Sequence, residues 1–201
     1  MASIVVEGPI GVGKTSLARL LADRIGARLV LEVVEENPFL ARFYEDPERF
    51  AFNAQAFFLL SRYRQSQESE QGSLFTPHTV SDYLFAKDWI FASLNLRGAE
   101  WELYQDLYRS LAPKLQPPDL IVYLRADPDL LLERIAKRGR PFETDIDPDY
   151  LRRLGEAYDL HFAREGGPVH VIEATHVDFV ASEADREALV ADVLDLARVA
   201  A

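Results

Sequence analysis

The sequence predicts an α/β fold built on a parallel sheet, and three features of the chain carry that prediction. Short β-branched runs alternate with longer helical patterns, as βαβ units require. The first such run leads through a glycine-rich turn directly into the first helical pattern. Two later helices open on Asp-Pro pairs, with Asp at the cap and Pro at the first helical position.

Taken in order, the predicted strands are Ser3–Glu7, Arg28–Glu32, His78–Asp82, Asp119–Leu124 and Val169–Ile172. Between the first two, Gly13–Arg24 places Leu17, Leu20, Leu21 and Ile25 at helical spacing. Phe50–Ser66, with Phe50, Phe52, Phe57, Phe58 and Tyr63, predicts a long and largely buried helix. The polar run Gln65–Thr76 reads as a helix end passing into a solvated loop. Phe85–Leu94 and Glu100–Leu111 supply two more helices. Asp127-Pro128 opens a helix through Arg138, and Asp147-Pro148 opens one to about Ala163. Glu183–Ala200 is a final amphipathic helix. No repeat or linker divides the chain, so residues 1–201 are expected to form one domain.

Composition narrows the function classes. With 201 residues and 48% hydrophobic side chains, one sizeable core is expected. Twenty-two Lys and Arg stand against 33 Asp and Glu, a formal charge of −11, which argues against binding nucleic acid over a broad basic face. A small cationic pocket for phosphate remains compatible with that charge. The absence of cysteine excludes disulfides, thiol catalysis, zinc–thiolate sites and iron–sulfur clusters. Met1-Ala2-Ser3 lacks the basic start of a signal peptide, and no apolar run approaches the roughly 20 residues needed to cross a bilayer. A cytoplasmic protein with no membrane partner is expected.

Gly8-Pro9-Ile10-Gly11-Val12-Gly13-Lys14-Thr15 fits G-x-x-x-x-G-K-[ST], with a strand before it and a helix after it. Glycines let backbone N–H groups turn inward around phosphate oxygens, and the helix start adds its positive dipole end. Lys14 would reach the β- and γ-phosphates, and the Thr15 hydroxyl would coordinate Mg²⁺. ATP or GTP binding is therefore expected, in place of a plain strand-to-helix turn.

The chain lacks the N-K-x-D run of a GTPase, and no apolar strand ends in Asp-Glu as in translocating ATPases. A small kinase needs cations over the phosphates and a second substrate opposite the nucleotide. Arg134-Ile-Ala-Lys137-Arg138-Gly139-Arg140 puts four cations in seven residues, with Arg134 and Arg138 on one helical face. Such a flap suits a transition state that spreads negative charge over equatorial oxygens, although a solvated helix end would look similar. Glu32 ends the second predicted strand, where ligands of open parallel sheets sit, and could accept the proton of an attacking hydroxyl. Its ordinary reading is a surface carboxylate capping the next helix. Asp82, ending the third predicted strand, is a candidate for Mg²⁺ or its bound waters.

Together these residues resemble the deoxynucleoside kinase family, especially its bacterial deoxyadenosine/deoxyguanosine kinase branch, from the phosphate loop to about Tyr158. The resemblance rests on that loop, on Glu32-x-x-x-x-Asn-Pro, on Tyr44-x-x-Pro-x-x-Phe-x-x-x-x-Gln55-x-x-x-x-x-x-Arg62, and on Arg134-x-x-x-Arg138-Gly-Arg140-x-x-Glu143. It implies a P-loop kinase fold, a five-stranded parallel sheet flanked by helices, with an arginine-rich flap around residues 134–146. It also implies transfer from ATP, with Mg²⁺, to the 5′-hydroxyl of a deoxyribonucleoside, with purines favoured, by an enzyme that forms a homodimer through a helix bundle. Glu32 would be the general base. Tyr44 and Glu143 would hold the sugar 3′-hydroxyl, and Gln55 would pair with the base beside Arg62. Arg134 would lie against the adenine of ATP, while Arg138 and Arg140 would contact phosphates.

One block departs from the family pattern. Tyr83 follows Asp82 where many members carry Arg. Either Lys87 supplies the missing cation, or the helix is shifted by one residue so that Lys87 or Asp88 faces the base. Two other readings compete with the kinase of nucleosides. A nucleoside monophosphate kinase of the thymidylate kinase type would share the fold, but Glu32 would repel its substrate's phosphate. A non-catalytic ATP-binding sensor or scaffold subunit would not need the base, the flap and the pocket residues together.

Overall fold

The computed structural model describes residues 2–71, 78–140, 143, 146–164 and 167–200. Five strands, β1 (Ala2–Glu7), β2 (Arg28–Val30), β3 (His78–Ser81), β4 (Leu120–Arg125) and β5 (Val169–Glu173), form one sheet in the order β2-β3-β1-β4-β5. All pairings are parallel, with Ile4 opposite both Val80 and Leu120. The central strands are apolar runs buried on both faces, as a sheet covered by helices on each side demands: Ile4, Val5 and Val6, and Leu120 to Leu124, are all buried. The edge strand β5 leaves His170 and Val171 partly or fully exposed.

Helices α1 (Lys14–Ile25), α2 (Leu40–Glu45), α3 (Pro47–Gln71), α4 (Ala86–Asn95), α5 (Gly98–Leu111), α6 (Pro128–Arg138), α7 (Pro148–Arg164) and α8 (Glu183–Ala200) fill the connections. Leu17 and Leu21 of α1, Leu131 and Ile135 of α6 and Val190 and Val193 of α8 pack on the sheet in one core. A second core joins α2, α3, α4 and α5 through Phe43, Leu59, Ala92 and Tyr104.

Strand β2 and helix α3 depart from the sequence-based expectation. Strand β2 stops at Val30, two residues before Glu32, because β3 stops at Ser81 and the ladder has no further partner. The Asp82 carboxylate takes over there, accepting the Glu32 N–H at 2.8 Å. Helix α3 begins at Pro47 instead of Phe50, on a third Asp-Pro pair whose Asp46 Oδ1 accepts the Arg49 N–H at 3.3 Å. The helix also runs to Gln71, through the first half of the segment expected to loop; residues 72–76 lie outside the described residues. Its five aromatics are only half-buried, and the inward face is Ala51, Ala54, Gln55, Leu59 and Arg62. Of the other two Asp-Pro openings, Asp147 caps through its side chain, accepting the Asp149 N–H at 3.0 Å. Asp127 holds the cap position without a side-chain capping bond.

Strand β1 has its two neighbours, β3 and β4, connected in opposite directions along the sheet. This reversal opens a crevice at the carboxyl ends of the strands, the place where such sheets bind ligands.

Candidate active site

The turn from β1 to α1 occupies that crevice. Gly8 has φ of 150°, and a Cβ there would lie 2.3 Å from the Leu124 carbonyl oxygen, so only glycine fits. Gly13, at φ 108°, would drive a Cβ to 2.7 Å from the Phe179 ring. Fully buried Val12 anchors the loop, and its carbonyl accepts the Arg134 Nη1 at 3.1 Å. Lys14 Nζ donates to the carbonyls of Gly8 at 2.7 Å and Pro9 at 2.9 Å. The Gly8 N–H donates to Glu7 Oε1 at 2.9 Å, so Gly8 gives the loop its turn while its donor points to protein.

Burial, reinforced by the charge of Lys87, pulls the Lys14 pKa down to about 8, although Glu7, Glu32 and Asp82 act in the opposite direction. A phosphate at Lys14 favours the ammonium form and raises that pKa again. Mg-ATP binding near pH 8 is therefore expected to take up protons, because free protein is partly deprotonated there and the complex is not. Calorimetry in buffers of different ionisation enthalpy measures this uptake, which should be lost in Lys14→Met.

Beyond β2 and β3 lies a buried cluster of charges. Glu32 is gripped by Arg62 of α3 and by Lys87 of α4, whose Nζ is 2.5 Å from Oε2. Arg62 also pairs with Asp88, so one guanidinium spans two carboxylates. Phe58 lies under the Arg62 guanidinium at 4.7 Å, and Phe91 under Lys87 at 5.5 Å. Burial alone would raise the Glu32 pKa; the charges and hydrogen bonds of Arg62 and Lys87 outweigh it and hold the carboxyl well below the usual range. Glu32 is therefore ionised at neutral pH. The neighbouring Asp82 accepts the Thr15 hydroxyl at 2.5 Å, bringing the two residues expected at Mg²⁺ together. Tyr83, in the place expected for Arg, is buried, and that burial pushes its pKa up to about 12.

The third wall comes from α6 and the segment after it. Gly139, at φ 69°, ends α6 as expected. On either side of it, Arg138 and Arg140 both pair with Glu143, the latter at 3.5 Å. Residues 141, 142, 144 and 145 of the expected flap lie outside the described residues. Tyr44 of α2 is raised in pKa by burial and next by Tyr150 and Glu143, so its hydroxyl stays protonated.

These groups line a single cavity of about 580 Å³, within the range of small-molecule sites. Ile10 to Thr15, Glu32, Tyr44, Gln55, Arg62, Asp82, Lys87, Arg134, Arg138, Arg140 and Glu143 all reach it. Gly8, Pro9 and Asp88 do not: the first two hold Lys14, and Asp88 sits behind Arg62. Gln55 is 3% exposed and its Oε1 has no hydrogen-bond partner among the described residues. The sequence reading missed Tyr150 and the Asp178–Ala181 turn after β5, both of which also line the cavity. The signal for that turn was available, since it follows the carboxyl end of a predicted strand.

A family model described as deoxynucleoside kinase matches residues 4–198. Deoxyguanosine kinase of Bacillus subtilis is 37% identical over 199 residues, covering 96% of each chain. Deoxyadenosine kinase of Lactobacillus acidophilus is 32% identical, covering 92% of each. A solved structure of deoxyadenosine kinase from M. mycoides superposes with a TM-score of 0.84 at 24% identity, over 96% of this chain and 99% of the other, and shares the fold. That fold is the P-loop kinase fold, and the family model and the two relatives show that the chain belongs to the deoxynucleoside kinase family, the enzymes that phosphorylate deoxyribonucleosides with ATP.

Proposed function

We propose that the acceptor is a purine deoxyribonucleoside, phosphorylated at its 5′-hydroxyl by Mg-ATP held on the phosphate loop. The observation carrying this reading is that one cavity joins Lys14 to an ionised, buried Glu32 and to Gln55, whose Oε1 has no hydrogen-bond partner among the described residues. Glu32 suits a neutral hydroxyl and would repel the 5′-phosphate of a nucleotide acceptor. Gln55 presents a donor and an acceptor side by side, which can read a base edge bidentately. The purine preference draws support from relatives named deoxyguanosine and deoxyadenosine kinases.

In this reading Lys14 and Arg138 stabilise the charge of the transferring phosphoryl group, with Arg140 on the phosphates and Arg134 against the adenine. Tyr44 and Glu143 hold the 3′-hydroxyl. Glu32 orients the 5′-hydroxyl and takes its proton late, as a loose transition state permits.

Among the described residues, no group of three or more His, Cys, Asp or Glu converges as a metal cage. Mg²⁺ commonly needs only one or two protein oxygens beside substrate phosphates, so the Thr15–Asp82 pair fits it. Bound there, the ion would neutralise phosphate charge. We place the enzyme in the cytoplasm with its ATP supply, and no helix among the described residues is long and apolar enough to cross a membrane. We also propose a homodimer, supported by the half-buried aromatic rings of Trp89 and Trp101 on α4 and α5.

Product analysis with the four deoxyribonucleosides and the matching ribonucleosides tests this reading. Deoxyadenosine or deoxyguanosine should give the fastest turnover; a pyrimidine or ribonucleoside preference contradicts it. Gln55→Ala should raise the nucleoside KM about tenfold or more with a smaller effect on kcat, the loss expected when paired buried hydrogen bonds disappear.

A further inference from the structure

Glu7, the last residue of β1, is a carboxylate with 0% exposure that lies outside the cavity. It accepts three hydrogen bonds from three separate parts of the chain. Its Oε1 receives the Gly8 N–H at 2.9 Å and the Tyr158 hydroxyl of α7 at 2.9 Å, and its Oε2 receives the Leu84 N–H at 2.8 Å. Gly8 opens the phosphate loop. Leu84 lies two residues after Asp82 and two before α4, which carries Lys87 and Asp88. Tyr158 stacks on Tyr123 of β4, with ring centroids 5.8 Å apart, and meets Phe91 of α4 edge-on at 6.4 Å.

We propose that Glu7 is a positioning residue for phosphoryl transfer, its carboxylate locking the phosphate loop to the segment that carries Asp82, Lys87 and Asp88. This rests on the kinase reading above. The chemistry requires a carboxylate: all three partners are donors, and two oxygens with four lone pairs can take them. A carboxamide has one acceptor oxygen, so its NH₂ must face at least one buried donor. Tyr158 suits its place as a donor, since burial and then the Glu7 charge keep its hydroxyl protonated. Two sides of the site meet at this lock: the phosphate loop, and beyond Leu84 the Lys87 side chain that grips Glu32. A misalignment of about 1 Å between reacting groups can cost on the order of a hundredfold in rate.

The test is steady-state kinetics of Glu7→Gln and Tyr158→Phe beside wild type, at a temperature where circular dichroism shows each variant folded. Mg-ATP affinity is measured by calorimetry. For Glu7→Gln, kcat is expected to fall about tenfold or more while the nucleoside KM stays within about twofold. Tyr158→Phe should show the same pattern with a loss of about threefold or more. If kcat per folded molecule stays within about twofold of wild type in both, Glu7 serves stability alone and the proposal is overturned, whatever the melting temperatures. Should Glu7→Gln not fold, Tyr158→Phe decides on the same criterion. Wild-type silence on every deoxyribonucleoside would refute the kinase reading instead. Glu7 would then be judged by Mg-ATP affinity, expected about tenfold weaker in Glu7→Gln, with unchanged affinity overturning the role.

Discussion

Glu32→Gln is expected to lower kcat on the order of a hundredfold or more while leaving Mg-ATP affinity within about threefold. The substitution keeps side-chain size but removes the carboxylate proposed to orient and deprotonate the acceptor hydroxyl. It does not touch the loop that holds ATP, since Lys14 bonds to the Gly8 and Pro9 carbonyls. Arg62 and Lys87 both lose an ionised partner in a nearly dry environment, so the melting temperature should fall as well. Turnover is therefore compared at a temperature where both proteins are folded. A variant retaining more than about a tenth of wild-type turnover would remove Glu32 from the base role.

Arg62→Ala should have the largest effect on stability. Arg62 is the ion partner of Asp88, whose side chain is 0% exposed, and one of two partners of Glu32. Removing one member of a buried charge network leaves the others desolvated without compensation, typically about 3–5 kcal/mol. For a chain of this size that corresponds to a fall of roughly 6–20 °C in melting temperature. The mechanism makes a further statement: adding Asp88→Asn to Arg62→Ala should recover part of the loss, because it discharges the stranded carboxylate. Strictly additive destabilisation in the double variant would show that the two residues do not act as a pair.

Much of the fold was legible because its signals are local. Each predicted strand overlaps an observed one to within two residues, and Gly139 stops α6 where its left-handed conformation requires. Helix α2 escaped because it is six residues long and starts without a side-chain cap bond. The start of α3 is written in Asp46-Pro47, ahead of the aromatic run that begins at Phe50. That run also misled on burial. Ala51, Ala54 and Leu59 pack into the second core, whereas Gln55 and Arg62 line the cavity together with the half-buried ring of Phe58.

The site was legible where one segment carries its own context, as in the phosphate loop. It was less so where function depends on which residues meet across the fold. Lys87 and Asp88 are consecutive on α4, and no helical period chooses between them. The structure shows that both are turned inward, Lys87 to Glu32 and Asp88 to Arg62. Glu7 looked like a strand end because its partners are 1, 77 and 151 residues away in sequence. Phe179 escaped for the same reason, closing on Gly13 from the far end of the chain.

A base at Glu32 requires the acceptor in its pocket to be a neutral sugar hydroxyl. Its most direct test is ADP release by the wild-type protein with Mg-ATP, comparing each purine deoxyribonucleoside with its own 5′-monophosphate. Rapid turnover with the nucleoside and none above background with the monophosphate is the predicted result. Turnover with the monophosphate alone would contradict the account, cancel the role of Glu32 and make this chain a kinase of nucleotides.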